Sequence, residues 1–181
     1  MKILMTIHRY DVLIFTWLNI KLTESIIIAA RHISKTADGW LYVLLGLALF
    51  KYQGLNSPLL QAMLLAFPIE RGIYFVLKNS FKRNRPAAAL DNFVSVIIPA
   101  DQFSFPSGHT SAAFMMATLL NYFLLPFADT SFMFLLYGLF VWAALVGFSR
   151  VVLGVHFPTD TLMGATLGTS TALLSVEVLG L

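Results

Sequence analysis

The sequence predicts an all-α, polytopic membrane helix bundle with five transmembrane helices. An N-terminal amphipathic segment before them either lies in the interface or supplies a sixth span. Three observations lead there. The chain is 58% hydrophobic and 12% charged, whereas soluble domains carry about 25% charged residues. Its mean hydropathy is +0.79. Its apolar runs are close to the ~20 residues that cross ~30 Å of hydrocarbon, with basic residues gathered at their ends. The 181 residues suit one integral-membrane domain spanning 1–181. The absence of cysteine excludes disulfides, thiolate catalysis and Cys-based metal sites. The net charge of +3 sits where lipid headgroups lie, and no basic-aromatic interleaving suggests a nucleic-acid partner.

The elements follow in order. The opening "MKILMTIHRYDVLIF" lacks a continuous apolar core and a small-residue cleavage site, so no cleaved signal peptide is expected. Residues 10–33 place Phe15, Trp17, Leu18, Leu22 and Ile26 at near-helical spacing. Asp11, Lys21, Glu24 and Arg31 interrupt them. Charges at the centre of a span cost about 2.5–3.5 kcal/mol each on insertion scales, so an interfacial helix within residues 1–36 is the easier reading. Asp38–Gln53 is the first clear span, anchored by Trp40 and Tyr42 at one end and by Lys51 and Tyr52 at the other. The next runs from Pro58 to Phe81, and the third from His109 to Pro126. The fourth runs from Ser131 to Val151, and the fifth starts at Pro158. A polar loop, Lys82–Phe105, separates the second and third; loops of that length are usually functional or disordered. If neighbouring spans are antiparallel, "KNSFKRNRP", "PSGH", "SR" and "HFPTD" all reach one membrane face.

The chemistry of that face is a cation cluster with two imidazoles. Lys78 and Arg85 are seven apart and share a face while the helix continues; Pro86 then ends it. Lys82 lies between them and Arg83 points elsewhere. Unmatched cations on one face bind an anion, Arg through a planar fork and Lys as a point charge. Snorkelling of basic residues at a helix end is the alternative. Pro106 fixes the entry to the next helix, where the N–H groups of Ser107 and Gly108 favour an anion and Ser107 adds a hydroxyl. His109 occupies the first turn. The alternative is a plain N-cap and a polar interfacial histidine. Arg150 and His156 flank a break at Gly154, and Pro158 suits the first position of the last helix. Asp160, one turn after His156, can accept its imidazole N–H and leave the other nitrogen nucleophilic; a capping aspartate is the common alternative. Together these groups suit phosphoryl transfer through a phosphohistidine. One imidazole attacks, cations and N–H groups hold the oxygens, and the second imidazole protonates the leaving alkoxide. No metal and no cofactor is called for. His8 and His32 are remote in sequence and lack a carboxylate cluster.

Lys78-x6-Arg85-Pro86, Pro106-Ser107-Gly108-His109 and Ser149-Arg150-x5-His156-x3-Asp160 together resemble the three-part signature of the type-2 phosphatidic acid phosphatase superfamily. The resemblance covers Lys78 to Asp160. It implies His156 as nucleophile, Asp160 as its partner and His109 as acid. It implies Lys78, Arg85, Ser107, Gly108 and Arg150 as phosphate binders. It also implies a lipid phosphate substrate, of the polyprenyl diphosphate or phosphatidylglycerophosphate type, and a site on the outer face of a bacterial inner membrane. Vanadium-dependent haloperoxidases share the signature, but they are soluble and larger. The short N-terminal portion departs from the six spans of many bacterial relatives.

Two further features stand apart. Glu70 and Arg71 lie inside the second span, where charge by default suggests function. They either neutralise partners on neighbouring helices or extend the basic face inward, since Arg71 is seven before Lys78. Gly164-x3-Gly168 reads as close helix packing, with Gly147 and Gly154 in similar roles. The competing functional class is a lipid-phosphate or anion binder or transporter. Such a protein needs the cations, but not one imidazole beside a carboxylate and a second at a helix start. Oligomeric state is not encoded in any of these features.

Overall fold

The structure, a computed structural model, describes residues 2–181. Met1, the first residue of the stretch read for a signal peptide, lies outside them, as do the side chains of residues 2–4. Eight α-helices follow one another: α1 (Lys2–Ile20), α2 (Glu24–Lys35), α3 (Trp40–Gln53), α4 (Pro58–Phe81), the short α5 (Pro86–Ala89), α6 (Gly108–Leu124), α7 (Thr130–Val152) and α8 (Pro158–Leu179). Among the described residues there is no strand. One antiparallel bridge, Asn84 to Phe103, closes the base of the long loop. Five segments are long and apolar enough to cross a membrane: Glu24–Asn56, Pro58–Phe81, Gly108–Phe127, Thr130–Val152 and Pro158–Leu179. The chain is a multi-pass membrane protein.

The N-terminal third differs from the sequence reading. Residues 10–33 are two helices, broken after Ile20, with Thr23 in extended conformation as the N-cap of α2. Nor is Asp38–Gln53 a complete span. α3 has 14 residues and a length of about 21 Å at 1.5 Å per residue, short of the hydrocarbon thickness. The segment Glu24–Asn56 gains its length from α2, which leads into α3 through a turn at residues 36–39. α1 turns Asp11 and Phe15 inward, where both are buried, while Leu13, Trp17 and Ile20 are exposed. An outward apolar stripe of that kind fits the bilayer boundary.

α6 is the central helix. Met115, Met116, Leu119, Ala113 and Ala117 are buried to 1% exposure or less, packed among α4, α7 and α8. The α6–α8 contact is backbone against backbone. A Cβ at Gly164 would lie 2.5 Å from Ser107 O; one at Gly168 would overlap Ser111 O and lie 2.9 Å from Met115 N. Only glycine permits that approach, so the packing read from Gly164-x3-Gly168 is present. It seats the start of α8 beside the start of α6, where Ser107 N–H donates to Asp160 O at 2.9 Å. Gly154, at φ +75°, turns the chain out of α7 toward His156. Its missing Cβ makes room for the Phe93 ring, which would otherwise stand 2.7 Å away.

Gly168→Val should therefore overpack the α6–α8 seam and cost about 1–3 kcal/mol or more. Thermal unfolding in detergent should show a midpoint several degrees lower. An unchanged midpoint would contradict backbone contact at this seam.

Candidate active site

The polar ends of α4, α6, α7 and α8 meet, as the parity of the spans required, around a cavity of about 360 Å³. Arg71, Tyr74, Arg85, His109, Arg150 and His156 line it, together with Asp38 and Asp101. Each group arrives by a distinct local device. α4 stops at Phe81, where Lys82 takes left-handed angles (φ 44°, ψ 38°). The helix thus ends four residues before Arg85, earlier than Pro86 would have enforced. Arg85 enters the site from extended backbone as the N-cap of α5. α8 begins with Pro158, and Asp160 accepts the Phe157 N–H at 2.8 Å, so the capping role of Asp160 is real as well.

Lys78, Arg85 and Arg150 are each only 6% exposed. Lys78 Nζ donates to Asp101 Oδ2 at 2.7 Å and to the Tyr74 hydroxyl. Arg85 donates to Asp101 Oδ1 at 2.5 Å, to Asp101 O at 2.9 Å and to Val155 O at 2.7 Å. One carboxylate thus bridges two of the cations. Partial burial would raise the Asp101 carboxyl, but hydrogen bonds from Lys78, Arg85 and Tyr74 outweigh it and hold the group at about 2. Arg150 has no carboxylate partner among the described residues. Its Nη1 donates to Ser34 Oγ at 2.6 Å, and its buried Nε has no acceptor among the described residues. A buried donor without an acceptor costs about 1–3 kcal/mol, more for a charged group.

His156 is 2% exposed. Its Nε2 lies 3.3 Å from Arg85 Nη1, on the cation side. Its Nδ1 lies 3.6 Å from Asp160 Oδ2 and makes no hydrogen bond. The expected N–H to carboxylate bond is therefore not closed at this distance, and each Asp160 oxygen also serves another donor. Oδ2 takes the Phe157 N–H, and Oδ1 takes Arg83 Nη1 at 2.7 Å. Arg83 does not point away from the site: it joins Asp160 to Asp11 of α1, donating to Asp11 Oδ2 at 2.6 Å, and stacks over the Phe157 ring. His8, remote in sequence, lies 3.3 Å from Arg83 Nη2 and edge-on to Phe157. Burial pushes the His156 imidazole down to about 4, although Asp160 pulls the other way.

At the start of α6, Ser107 is fully buried and already committed. Its N–H is used by Asp160 O, and its hydroxyl pairs with Thr110 Oγ1 at 2.9 Å. The N–H expected to meet an anion is thus taken. Gly108 and His109, the first residues of α6, keep the unpaired N–H groups of a helix start. His109 Nε2 lies 3.0 Å from Asp38 Oδ1. Sequence reasoning missed Asp38, Asp101, Asp11 and Tyr74. The one available signal was Asp101, one of two acids in the long loop, the other being Asp91.

Fold and site together define a cavity at one end of a membrane helix bundle, where cations and two imidazoles converge, a setting suited to an anion. Residues 58–180 match the PAP2 superfamily model, and the chain belongs to that superfamily. It is 40% identical over 133 residues to phosphatidylglycerophosphatase B of Bacillus subtilis, an alignment covering 71% of this chain and 61% of that protein. The chain thus spans less than two thirds of that relative. Two crystal structures are similar. The first transmembrane PAP2-type phosphatidylglycerolphosphate phosphatase from Bacillus subtilis has a TM-score of 0.79 at 31% identity, covering 96% of this chain and 86% of that one. LpxE of Aquifex aeolicus has a TM-score of 0.78 at 28% identity, covering 92% and 94%.

His156 should still be neutral well below pH 6, because its charged form is desolvated. Two-dimensional NMR of ring-labelled protein in detergent, with His156→Gln for assignment, measures this. The His156 resonance should titrate near pH 4. Titration near the ordinary value of 6.5 would contradict the burial.

Proposed function

We propose that the protein is a lipid phosphatase that hydrolyses a lipid phosphomonoester or diphosphate through a phosphohistidine on His156. The observation that carries the reading is Arg150. A guanidinium 6% exposed, with a buried Nε that has no acceptor among the described residues, lines the same cavity as both imidazoles. An anion with several oxygens satisfies such a group. A second, apolar cavity of about 780 Å³ runs between α3 and α4 and meets the first at Asp38, Gly39, Tyr42 and Phe67. An acyl or prenyl tail fits there while its phosphate lies among the cations. The relatives' names suggest a phosphatidylglycerophosphate-type headgroup; a polyprenyl diphosphate presents the same reacting group. The reading includes a bacterial inner membrane with the site at its outer face, as the family resemblance implies.

In this mechanism Lys78, Arg85, Arg150 and the N–H groups of Gly108 and His109 hold the nonbridging oxygens, and the buried Ser107 supports the turn. Asp101 yields Lys78 and Arg85 to the phosphate. His156 Nε2 attacks phosphorus, because that nitrogen faces Arg85 while Nδ1 faces Asp160. A P–N bond forms as the ester P–O bond breaks. The departing oxygen keeps the electron pair and takes a proton from His109, whose protonated ring Asp38 supports. Water then attacks the phosphohistidine and returns its proton to His109, and inorganic phosphate leaves. Closing the 3.6 Å gap between His156 Nδ1 and Asp160 stabilises the imidazole as positive charge develops on it.

The test is inorganic phosphate release from purified lipid phosphates, with His109→Ala compared across leaving groups. General acids contribute about 10²–10⁴-fold, most where the leaving group is poor. His109→Ala should lose that much on an alkyl phosphate such as phosphatidylglycerophosphate and far less on p-nitrophenyl phosphate. Equal losses on both would remove His109 as the acid. Lipid phosphate binding without any release would leave the binder in place of the enzyme.

A further inference from the structure

We propose that Arg71, held by Glu70, forms a second anion subsite beside the reaction centre and selects substrates that carry two phosphate groups. The inference rests on the phosphatase reading for its substrates and on geometry for its site. Glu70 is fully buried, and its carboxylate engages one edge of the Arg71 guanidinium: Nε donates to Oε2, and Nη2 to Oε1 at 2.6 Å. A buried carboxylate needs such a partner, and the pairing fixes the plane of the guanidinium. The Arg71 side chain is nonetheless 47% exposed and lines the cavity that holds Arg85, Arg150 and His156. Its face rests on the Tyr74 ring, 4.3 Å from the centroid.

Two details point the remaining donor edge at substrate. No acceptor among the described residues engages Arg71 Nη1. Both terminal nitrogens lie 3.3 Å from where a Cβ on Gly108 would stand, so the guanidinium tip abuts the helix start that holds the scissile phosphate in the proposed mechanism. An anionic oxygen one linkage away from that phosphate comes within reach of this tip. Arg71 is also two helical turns before Lys78 on the same helix, continuing the basic face. The shared ligand chemistry is a second phosphorus-borne negative charge. It arises either from the α-phosphate of a diphosphate, whose terminal phosphate reacts, or from the phosphodiester of a phosphatidylglycerophosphate-type lipid. Glu70 acts here as a positioning residue.

The experiment compares Arg71→Gln and Arg71→Lys with wild type on phosphatidic acid, phosphatidylglycerophosphate and a prenyl diphosphate in one detergent. A hydrogen bond to a charged group is worth about 1.5–3 kcal/mol, so Arg71→Gln should raise KM for a two-phosphorus substrate roughly 10-fold or more. The rise for phosphatidic acid should be several-fold smaller, and Arg71→Lys should recover part of the difference. Selective loss on the diphosphate identifies its α-phosphate; selective loss on phosphatidylglycerophosphate identifies the diester. Equal losses on all three, or none, overturn the subsite. A second readout is independent of turnover. Pyrophosphate should raise the thermal midpoint of the wild-type protein more than phosphate does, and Arg71→Gln should remove that difference. If wild type released no phosphate from any lipid, the phosphatase reading would fall, and the pyrophosphate comparison alone would still decide Arg71.

Discussion

Three cations held almost wholly out of water, Lys78, Arg85 and Arg150, set the terms for the rest of this structure. A buried charge without a partner costs several kcal/mol, so the fold must carry counter-groups to it from distant parts of the chain. Asp101 comes from the loop after α5 to bridge two of them. Ser34 comes from α2, 116 residues away in sequence, to reach Arg150. On the proposed function Asp101 is an exchangeable counter-ion: two oxygens stand where a phosphate would offer three. The long polar loop is then part of the site, and its Asn84–Phe103 bridge keeps Asp101 within reach.

A second network fixes the imidazole side. The glycine seam between α6 and α8 brings Ser107 and Asp160 together through their backbones. Asp160 is then clamped from the far side by Arg83, which is itself held by Asp11 of α1. Thr159 N–H also donates to Asp11, at 3.0 Å. The N-terminal helix, which turns an apolar stripe outward, is thereby tied through one arginine to the carboxylate beside His156. That linkage explains why a helix with charges at Arg9 and Asp11 is part of the bundle: Asp11 faces the protein and has partners there.

The parts of this account that were readable in sequence are local ones. Arg150, His156 and Asp160 belong to one short stretch with a glycine break, and Gly164-x3-Gly168 is one helix face. Partners far apart in the chain were not readable. Asp38 with His109, Asp101 with Arg85 and Asp11 with Arg83 carry no spacing rule, because tertiary packing alone brings them together. Arg83 was misread because same-face arithmetic assumed a helix continuing to Arg85, whereas the left-handed Lys82 re-aims everything after it. The break in residues 10–33 did leave a signal: Thr23 followed by Glu24 is a helix-start pattern inside a window read as continuous.

The central claim is that this cavity takes a phosphoryl group onto His156. Rapid acid or base quench of the purified protein turning over a lipid carrying ³²P in its terminal phosphate tests it directly. The account predicts transient label on protein that survives base and is lost in acid, as a phosphoramidate is. Mass spectrometry should map it to the peptide containing His156, and His156→Ala should show neither label nor turnover. Sustained turnover with no labelled protein at any quench time, together with activity persisting in His156→Ala, would contradict it.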